Sequence, residues 1–243
     1  MKLLVIPDIH LKPWIFDEAD EILKDGKADT FVFLGDLVDD WGQERNLRLY
    51  EETLERAIKM AQDYPTSLWC YGNHDVSYLW KMNETGYSFW ARDLIVRKLY
   101  ELRDVLGDRL AFIHKVDKMI FSHAGIVDEY IKSIAPHDLF DDVDVMIDFI
   151  NHDVNEIELW KDNSPIWARP QYYPCQMYKS DTYLHVVGHT PVEKALYQPD
   201  INVLTLDSFS TYSDGTPIGD EILHVVDTLI DSFIEDGDKT LYR

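Results

Sequence analysis

The sequence predicts an α/β fold in which two β-sheets pack face to face as a sandwich flanked by helices. Three observations predict it. Short apolar runs in the first third alternate with helical periodicity in the order β-α-β-α-β, the pattern of a largely parallel sheet with covering helices. The second half is richer in strands with a helical stretch among them, so a second sheet accounts for it better than one doubly wound sheet. The strands also share an ending, since several close on carboxylate, imidazole or amide side chains.

The elements follow in order. "KLLVIP" is an apolar run of strand length, too short for a secretion signal, and reads as the first strand. Trp14 to Lys24 is a short helix and "TFVFLG" the second strand. Glu44 to Asp63 reads as a long amphipathic helix, with Leu47, Leu54, Ile58 and Ala61 on one face. "SLWCY" is the third strand. Residues 76–108 are helical and aromatic. "LAFIHKVDKMIFSHAG" reads as a hairpin turning near Val116 to Lys118. Residues 126–160 are helical and acidic, and "SPIWARPQYYP" is an irregular proline-rich loop. "YLHVVGHT", "NVLTLD" and "EILHVVD" are late strands, and "DSFIEDGDKTLYR" reads as a polar extension without chemistry. No linker or repeat divides the chain. One domain over residues 1–243 is expected, with helical insertions at about 76–108 and 126–160.

Composition narrows the function classes. With 45 acidic against 23 basic side chains the net charge is −22, which repels nucleic acid and anionic membrane at long range. No window is apolar for long enough to span a bilayer. Cys70 and Cys175 lie far apart without C-x-x-C spacing, which fits a reduced, cytoplasmic protein.

The strand ends carry the chemistry. "VIPDIH" delivers Asp8 and His10, "FVFLGDLVDD" delivers Asp36 and Asp39, and "WCYGNHD" delivers Asn73, His74 and Asp75. "MIFSHAG" and "HVVGHTP" add His123 and His189. Ligands of open α/β sheets gather beyond the C-terminal ends of strands, so these five ends are expected to converge on one site. Each motif is weak by itself; the ordered set is not. Carboxylate, imidazole and amide donors without thiolate suit manganese first, with iron or zinc as alternatives. Six such side chains exceed what one metal with open positions needs. They suit two divalent ions sharing a carboxylate, an arrangement that clamps phosphate.

As a set, "PDIH", "GDLVDD", "GNHD", "SHAG" and "GHTP" resemble the signature of the calcineurin-like metallophosphoesterases, from about residue 1 to residue 227. The resemblance implies a helix-flanked β-sandwich and metal-dependent hydrolysis of phosphate esters or anhydrides. It also implies roles. Asp8 and His10 bind a first metal, Asp36 bridges, and Asn73, His123 and His189 bind a second. His74 protonates the leaving oxygen, Asp39 orients His74, and Arg169 in "SPIWARP" grips phosphate. Gly72 is expected to permit the sharp turn that separates Asn73 from His74.

Two details bear on the branch. Pro191 follows Gly188-His189-Thr190 where many diesterases carry a second histidine, so the motif is similar to that of phosphoprotein phosphatases and symmetrical dinucleoside tetraphosphatases. A phosphomonoesterase is therefore expected, acting on a phosphoprotein, dinucleoside polyphosphate or small phosphorylated metabolite. A phosphodiesterase or nuclease of the same superfamily is the alternative, and a silent binding scaffold the rival from another class. Asp40 stands where the phosphatases carry an arginine. Either it faces solvent, or the phosphate takes a different pose, or a substitute cation (Arg45, Arg92 or Lys12) serves it. Asp75 is expected to be structural. The segment from Tyr78 to Trp90 is read as helix packing with a cleft cap as the alternative, and Tyr172 and Tyr173 as candidates for stacking a leaving group. His114, His137, His152, His185 and His224 lack motif context and read as structural or exposed, and Cys70 as a core thiol.

Overall fold

A computed structural model of the chain describes residues 1–135, 141–229, 232–235 and 239–242; His137 lies outside them. Strands β1 (Lys2–Ile6), β2 (Thr30–Phe33), β3 (Leu68–Cys70) and β4 (Leu110–Ala111) run parallel. Helices α1 (Trp14–Lys24), α2 (Leu47–Asp63), α3 (Asn73–Trp80) and α4 (Arg92–Leu106) connect them. The second sheet begins with the hairpin β5 (Ile113–Val116) and β6 (Met119–Ser122). Helices α5 (Asp128–Ile134), α6 (Val143–His152) and α7 (Glu156–Leu159) follow, then β7 (Leu184–Val187), β8 (Leu196–Gln198) and β9 (Val203–Thr205). The order is β5-β6-β7-β9-β8, with β6, β7 and β9 parallel. The chain then returns to the first sheet as β10 (His224–Asp227), antiparallel to β1.

Period-two alternation explains the layers. In β1, Leu3 and Val5 face the second sheet and pack with Val32, Leu34, Cys70, Met119 and Phe121. Leu4 and Ile6 face the other way and pack with Phe31, Phe33, Trp69 and the helices α1, α2 and α4. A third apolar cluster seats α5 and α6 on the outer face of the second sheet through Ile120, Tyr130, Met146 and Ile150. Strands buried on both faces must be apolar throughout, which is why β1 and β2 read as continuous runs.

Three expectations are corrected. The long helix begins at Leu47, not Glu44, because the Asn46 side chain caps it by accepting from the Leu49 N–H; Leu47 is then an exposed first residue. Leu110–Ala111, read as the start of the hairpin, is instead β4, paired parallel with β3 in the first sheet; it and β8, two and three residues long, are too short to carry a pattern of their own. The C-terminal tail forms β11 (Ser232–Glu235) and β12 (Lys239–Tyr242), a hairpin that extends the first sheet beyond β10. Its sequence carries the signal, an Asp-Gly pair between two β-prone runs. Among the described residues, no helix is long and apolar enough to cross a membrane.

Candidate metal centre and its cleft

The parallel strands of both sheets end at one place, and the predicted side chains meet there. One donor atom from each of Asp8, His10 and Asp36 lies within 4.8 Å of the others, and the same holds for Asp36, His123 and His189. Asp36 is common to both groups. Asn73 joins the second, with its Oδ1 2.8 Å from His123 Nε2.

Backbone carbonyls decide which ring nitrogen each histidine offers. His123 Nδ1 lies 2.9 Å from Leu34 O, and His10 Nδ1 lies 2.8 Å from Asp39 O. A carbonyl only accepts, so each Nδ1 carries a proton and each Nε2 of the neutral ring is left with a lone pair. His10 Nε2 faces Asp8 and Asp36 at 3.8 Å. His123 Nε2 faces Asp36 Oδ2 at 3.3 Å, Asn73 Oδ1 at 2.8 Å and His189 Nδ1 at 3.1 Å. His189 Nε2 is buried without a hydrogen-bond partner. The lone pairs of His123 Nε2, Asn73 Oδ1 and Asp36 Oδ2 converge at these distances and repel one another, so the donor set suits a cation held among them.

Electrostatics agree. Burial lowers the His10 imidazole, and burial with His123 and Arg169 lowers His189 well below its ordinary value, so both rings keep a lone pair at neutral pH. Burial alone would raise the Asp36 carboxyl, but attraction to His123, His74 and His10 when those rings carry a proton outweighs it and holds Asp36 well below the usual carboxylate range. Asp8 goes the other way, raised by burial and by the carboxylates of Asp207 and Asp36.

The site is built from unusual backbone. His10, Asp36, Asp39 and His189 have φ of 43°, 62°, 67° and 62°, the left-handed region that side chains rarely adopt. Each such residue costs about 1–3 kcal/mol, offset only where the surroundings hold it. Asp75 is one of the holders. Its carboxylate accepts from the N–H groups of Asp36, Leu37 and Gly72 at 2.8, 2.9 and 3.2 Å, tying the ends of β2 and β3 together.

Gly72 is required for a reason other than the expected one. Its φ of −96° is open to any residue. The constraint is space, because a Cβ there would lie 2.0 Å from Asp36 Oδ1 and 2.3 Å from Asp36 N. Asn73 and His74 are separated by the first turn of α3 rather than by a kink at Gly72.

His74 lies outside both donor groups. Its Nδ1 is 3.1 Å from Asp39 Oδ2, and Asp39 Oδ1 accepts from the hydroxyls of Tyr50 and Tyr78. Burial works against the His74 proton, but Asp36 and Asp39 outweigh it and raise the imidazole to about 9. Arg169 Nη1 donates to His189 O at 3.1 Å and Thr190 Oγ1 at 3.3 Å, which fixes the guanidinium beside the second donor group.

The comparisons with known proteins agree with this geometry. A sequence model described as calcineurin-like phosphoesterase matches residues 1–220. The chain belongs to the calcineurin-like phosphoesterase family. Family membership makes it a metal-dependent hydrolase of phosphate esters. Among solved structures it is similar to a cold-active protein tyrosine phosphatase, at 17% identity and a TM-score of 0.59 over 96% of this chain and 75% of that one. It is also similar to the cold-active protein-tyrosine phosphatase of a psychrophile, Shewanella sp., at 18% identity and a TM-score of 0.57 over 92% of this chain and 74% of that one. These likenesses bear on the fold. No match was found among curated proteins.

In this phosphoesterase the donor groups open into a cleft of about 510 Å³ lined by His74, Asp40, Trp41, Arg169 and Tyr212, among others. Asp40 is held on the cleft wall with its side chain one-fifth exposed, rather than pointing freely to solvent. Its Oδ2 pairs with Lys12 Nζ at 3.4 Å, and its Oδ1 accepts from Thr211 Oγ1 at 3.0 Å. Of the three substitute cations considered, Lys12 is engaged with Asp40, Arg45 lies 4.4 Å over the Trp90 ring and Arg92 pairs with Asp93. Tyr172 and Tyr173 are exposed and do not line the cleft, whose aromatic side chains are Trp41, Trp167 and Tyr212. Tyr78 packs as expected, stacked on Tyr87 at 4.2 Å, whereas Glu84, Thr85 and Gly86 of the same segment form part of the cleft wall. His152 is exposed, while His185 and His224 are buried away from the cleft.

One further candidate was not singled out from the sequence. Asp207, just past β9, is buried beside Asp8 and His10, with Oδ2 accepting from Ser210 and Oδ1 without a partner. The signal was present, since "NVLTLD" is another strand ending in a carboxylate.

Proposed function

We propose that this protein is a phosphomonoesterase with a dinuclear centre, manganese being the first choice of metal and iron or zinc the alternatives. The observation that carries it is Asp36, shared by two groups of converging donors. Asp8 and His10 would hold one ion, Asn73, His123 and His189 the other, and Asp36 both. When bound, two such ions supply Lewis-acid polarisation of the phosphoryl group and a lowered pKa for bound water.

The chain's own residues do the rest. Arg169, held by His189 O and Thr190, offers its remaining guanidinium N–H groups to phosphate oxygens and to the charge that grows on them in the transition state. His74 donates its Nε2 proton to the leaving oxygen as the P–O bond breaks, while Asp39 keeps Nδ1–H in place and stabilises the imidazolium. Metal charge on Asp36 would offset that carboxylate's hold on His74, leaving Asp39 as the group that retains the proton.

The phosphatase branch is favoured by Pro191, which lines the cleft where diesterases of this family place a second histidine. The free thiols Cys70 and Cys175 fit a reducing cytoplasm. The test is hydrolysis of p-nitrophenyl phosphate beside bis-p-nitrophenyl phosphate with excess Mn²⁺ and an EDTA control. Fast, EDTA-sensitive release from the monoester alone supports the reading. Preference for the diester would replace it with a phosphodiesterase, and release from neither with a binding scaffold.

A further inference from the structure

Arg169 and the donor residues His10, Asp36, Asn73 and His189 line the cleft. Asp40, Trp41, Glu84, Thr211 and Tyr212 belong to the remaining lining. Hydrogen bonds lock much of that lining. The Trp41 indole N–H donates to Thr211 O at 3.1 Å, and the Thr211 hydroxyl donates to Asp40 at 3.0 Å. Lys12 reaches Asp40 but also bonds His10 O, and it is nearly buried behind the lining. These N–H and O–H groups are therefore committed. What Asp40, Trp41, Glu84 and Tyr212 offer a substrate is two ring surfaces, two carboxylates and the Tyr212 hydroxyl, with the hydroxyls of Thr85 and Ser213 also in the lining. The rings are open to solvent, Trp41 at 48% and Tyr212 at 57% exposure, although both are large and apolar.

A further anion on the leaving group would face the charge of Glu84 and of Asp40, which Lys12 offsets only in part. An aromatic ring needs a face to stack on, and two are held ready. We propose that Asp40, Trp41 and Tyr212 form the leaving-group subsite, and that it takes phosphomonoesters of uncharged aromatic alcohols or phenols in preference to esters whose leaving group carries a further anion. This deepens the phosphomonoesterase reading and rests on it. Dinucleoside polyphosphates, whose leaving group is itself a polyphosphate, are disfavoured on the same ground.

The experiment compares benzyl phosphate, butyl phosphate and 4-carboxybenzyl phosphate with the Mn²⁺-loaded protein. Benzyl and butyl alcohols are similar enough as leaving groups that the ratio reads the subsite. Benzyl is expected to exceed butyl by about fivefold to tenfold in kcat/KM. 4-Carboxybenzyl is expected to fall below benzyl by about fivefold or more. Trp41→Ala with Tyr212→Ala should bring the benzyl-to-butyl ratio to about one, and Trp41→Phe should restore part of it. Asp40→Asn should shrink the carboxylate penalty, and Glu84→Gln supplies the same test if the Asp40 variant does not fold. Equal rates for all three esters, or ratios unmoved by the variants, overturn the proposal. Equilibrium binding of benzylphosphonate and butylphosphonate separates it from the parent reading. Benzyl preference without turnover keeps the subsite and removes the phosphomonoesterase; equal binding removes the subsite whatever the turnover.

Discussion

His74 Nδ1 and Asp39 Oδ2 lie 3.1 Å apart, and the other Asp39 oxygen is held by the Tyr50 and Tyr78 hydroxyls. The carboxylate is thus fixed on both sides, and the imidazole with it. Replacing His74 by Asn should lower kcat by about 10²–10⁴-fold on an alkyl phosphate, whose leaving group needs a proton. The loss should be much smaller on p-nitrophenyl phosphate, which leaves readily as an anion. Equal losses on both esters would rule out His74 as the acid. Asp39→Asn should show the same leaving-group dependence more weakly, because it disturbs the proton without removing it.

The centre should couple metal binding to stability. Adding Mn²⁺ should raise Tm, by an amount equivalent to about 2.7 kcal/mol when free metal is a hundred times Kd. Asp36→Asn should abolish most of that shift, since both donor groups depend on it. Asp207→Asn should raise the Tm of the metal-free protein by removing a buried carboxylate beside Asp8, and should narrow the response to metal. Differential scanning fluorimetry of the parent and both variants, with and without EDTA, checks all three expectations.

Gly72→Ala should be costly without any backbone strain. The added methyl carbon must displace Asp36, whose N and Oδ1 lie within 2.3 Å of its ideal position. A loss of about 1–3 kcal/mol or more in stability is expected, together with loss of activity. Gly26→Ala is the contrast. There φ is +70° with open space around the new carbon, so only a left-handed backbone cost of about 1–2 kcal/mol applies and activity should survive. Urea unfolding of both variants distinguishes crowding from conformational strain.

His185 should make the fold acid-sensitive independently of the metal centre. It is fully buried in β7, its Nε2–H donates to Tyr178 O, and burial lowers its pKa to about 4. In the unfolded chain the ring takes up a proton near pH 6.5. The unfolded state therefore binds more protons as pH falls below 6.5, and stability drops until the folded pKa is passed. The contribution is about 2 kcal/mol lost by pH 5, and it is fully present above pH 7. His185→Gln keeps a donor for Tyr178 O without the titration. Its unfolding free energy should fall less between pH 7 and pH 5 than that of the parent; parallel pH profiles would refute the assignment.

The elements and most of the site were legible in the sequence because their causes are local. Alternation buries β1 and β2, helical spacing buries one face of α2, and each strand end announces itself by a sudden polar residue. Asp8, His10, Asp36, Asn73, His74, His123 and His189 were all picked out as candidates in this way, and the fold brings them together. Asp207 obeyed the same rule and was passed over because a lone carboxylate after "NVLTL" has no neighbouring motif residue to mark it. What only tertiary structure decided are relationships between distant segments. Asp40 looked free to face water until packing brought Lys12 and Thr211, 171 residues along the chain, against its two oxygens. Gly72 is required by the clearance between β2 and β3, not by its own φ. The orientation of each metal-facing ring is chosen by a backbone carbonyl from another strand end, Leu34 O for His123 and Asp39 O for His10. Periodicity specifies which face of an element is buried, but not which atoms of another element it will meet there; that is settled when the two sheets close on their shared core.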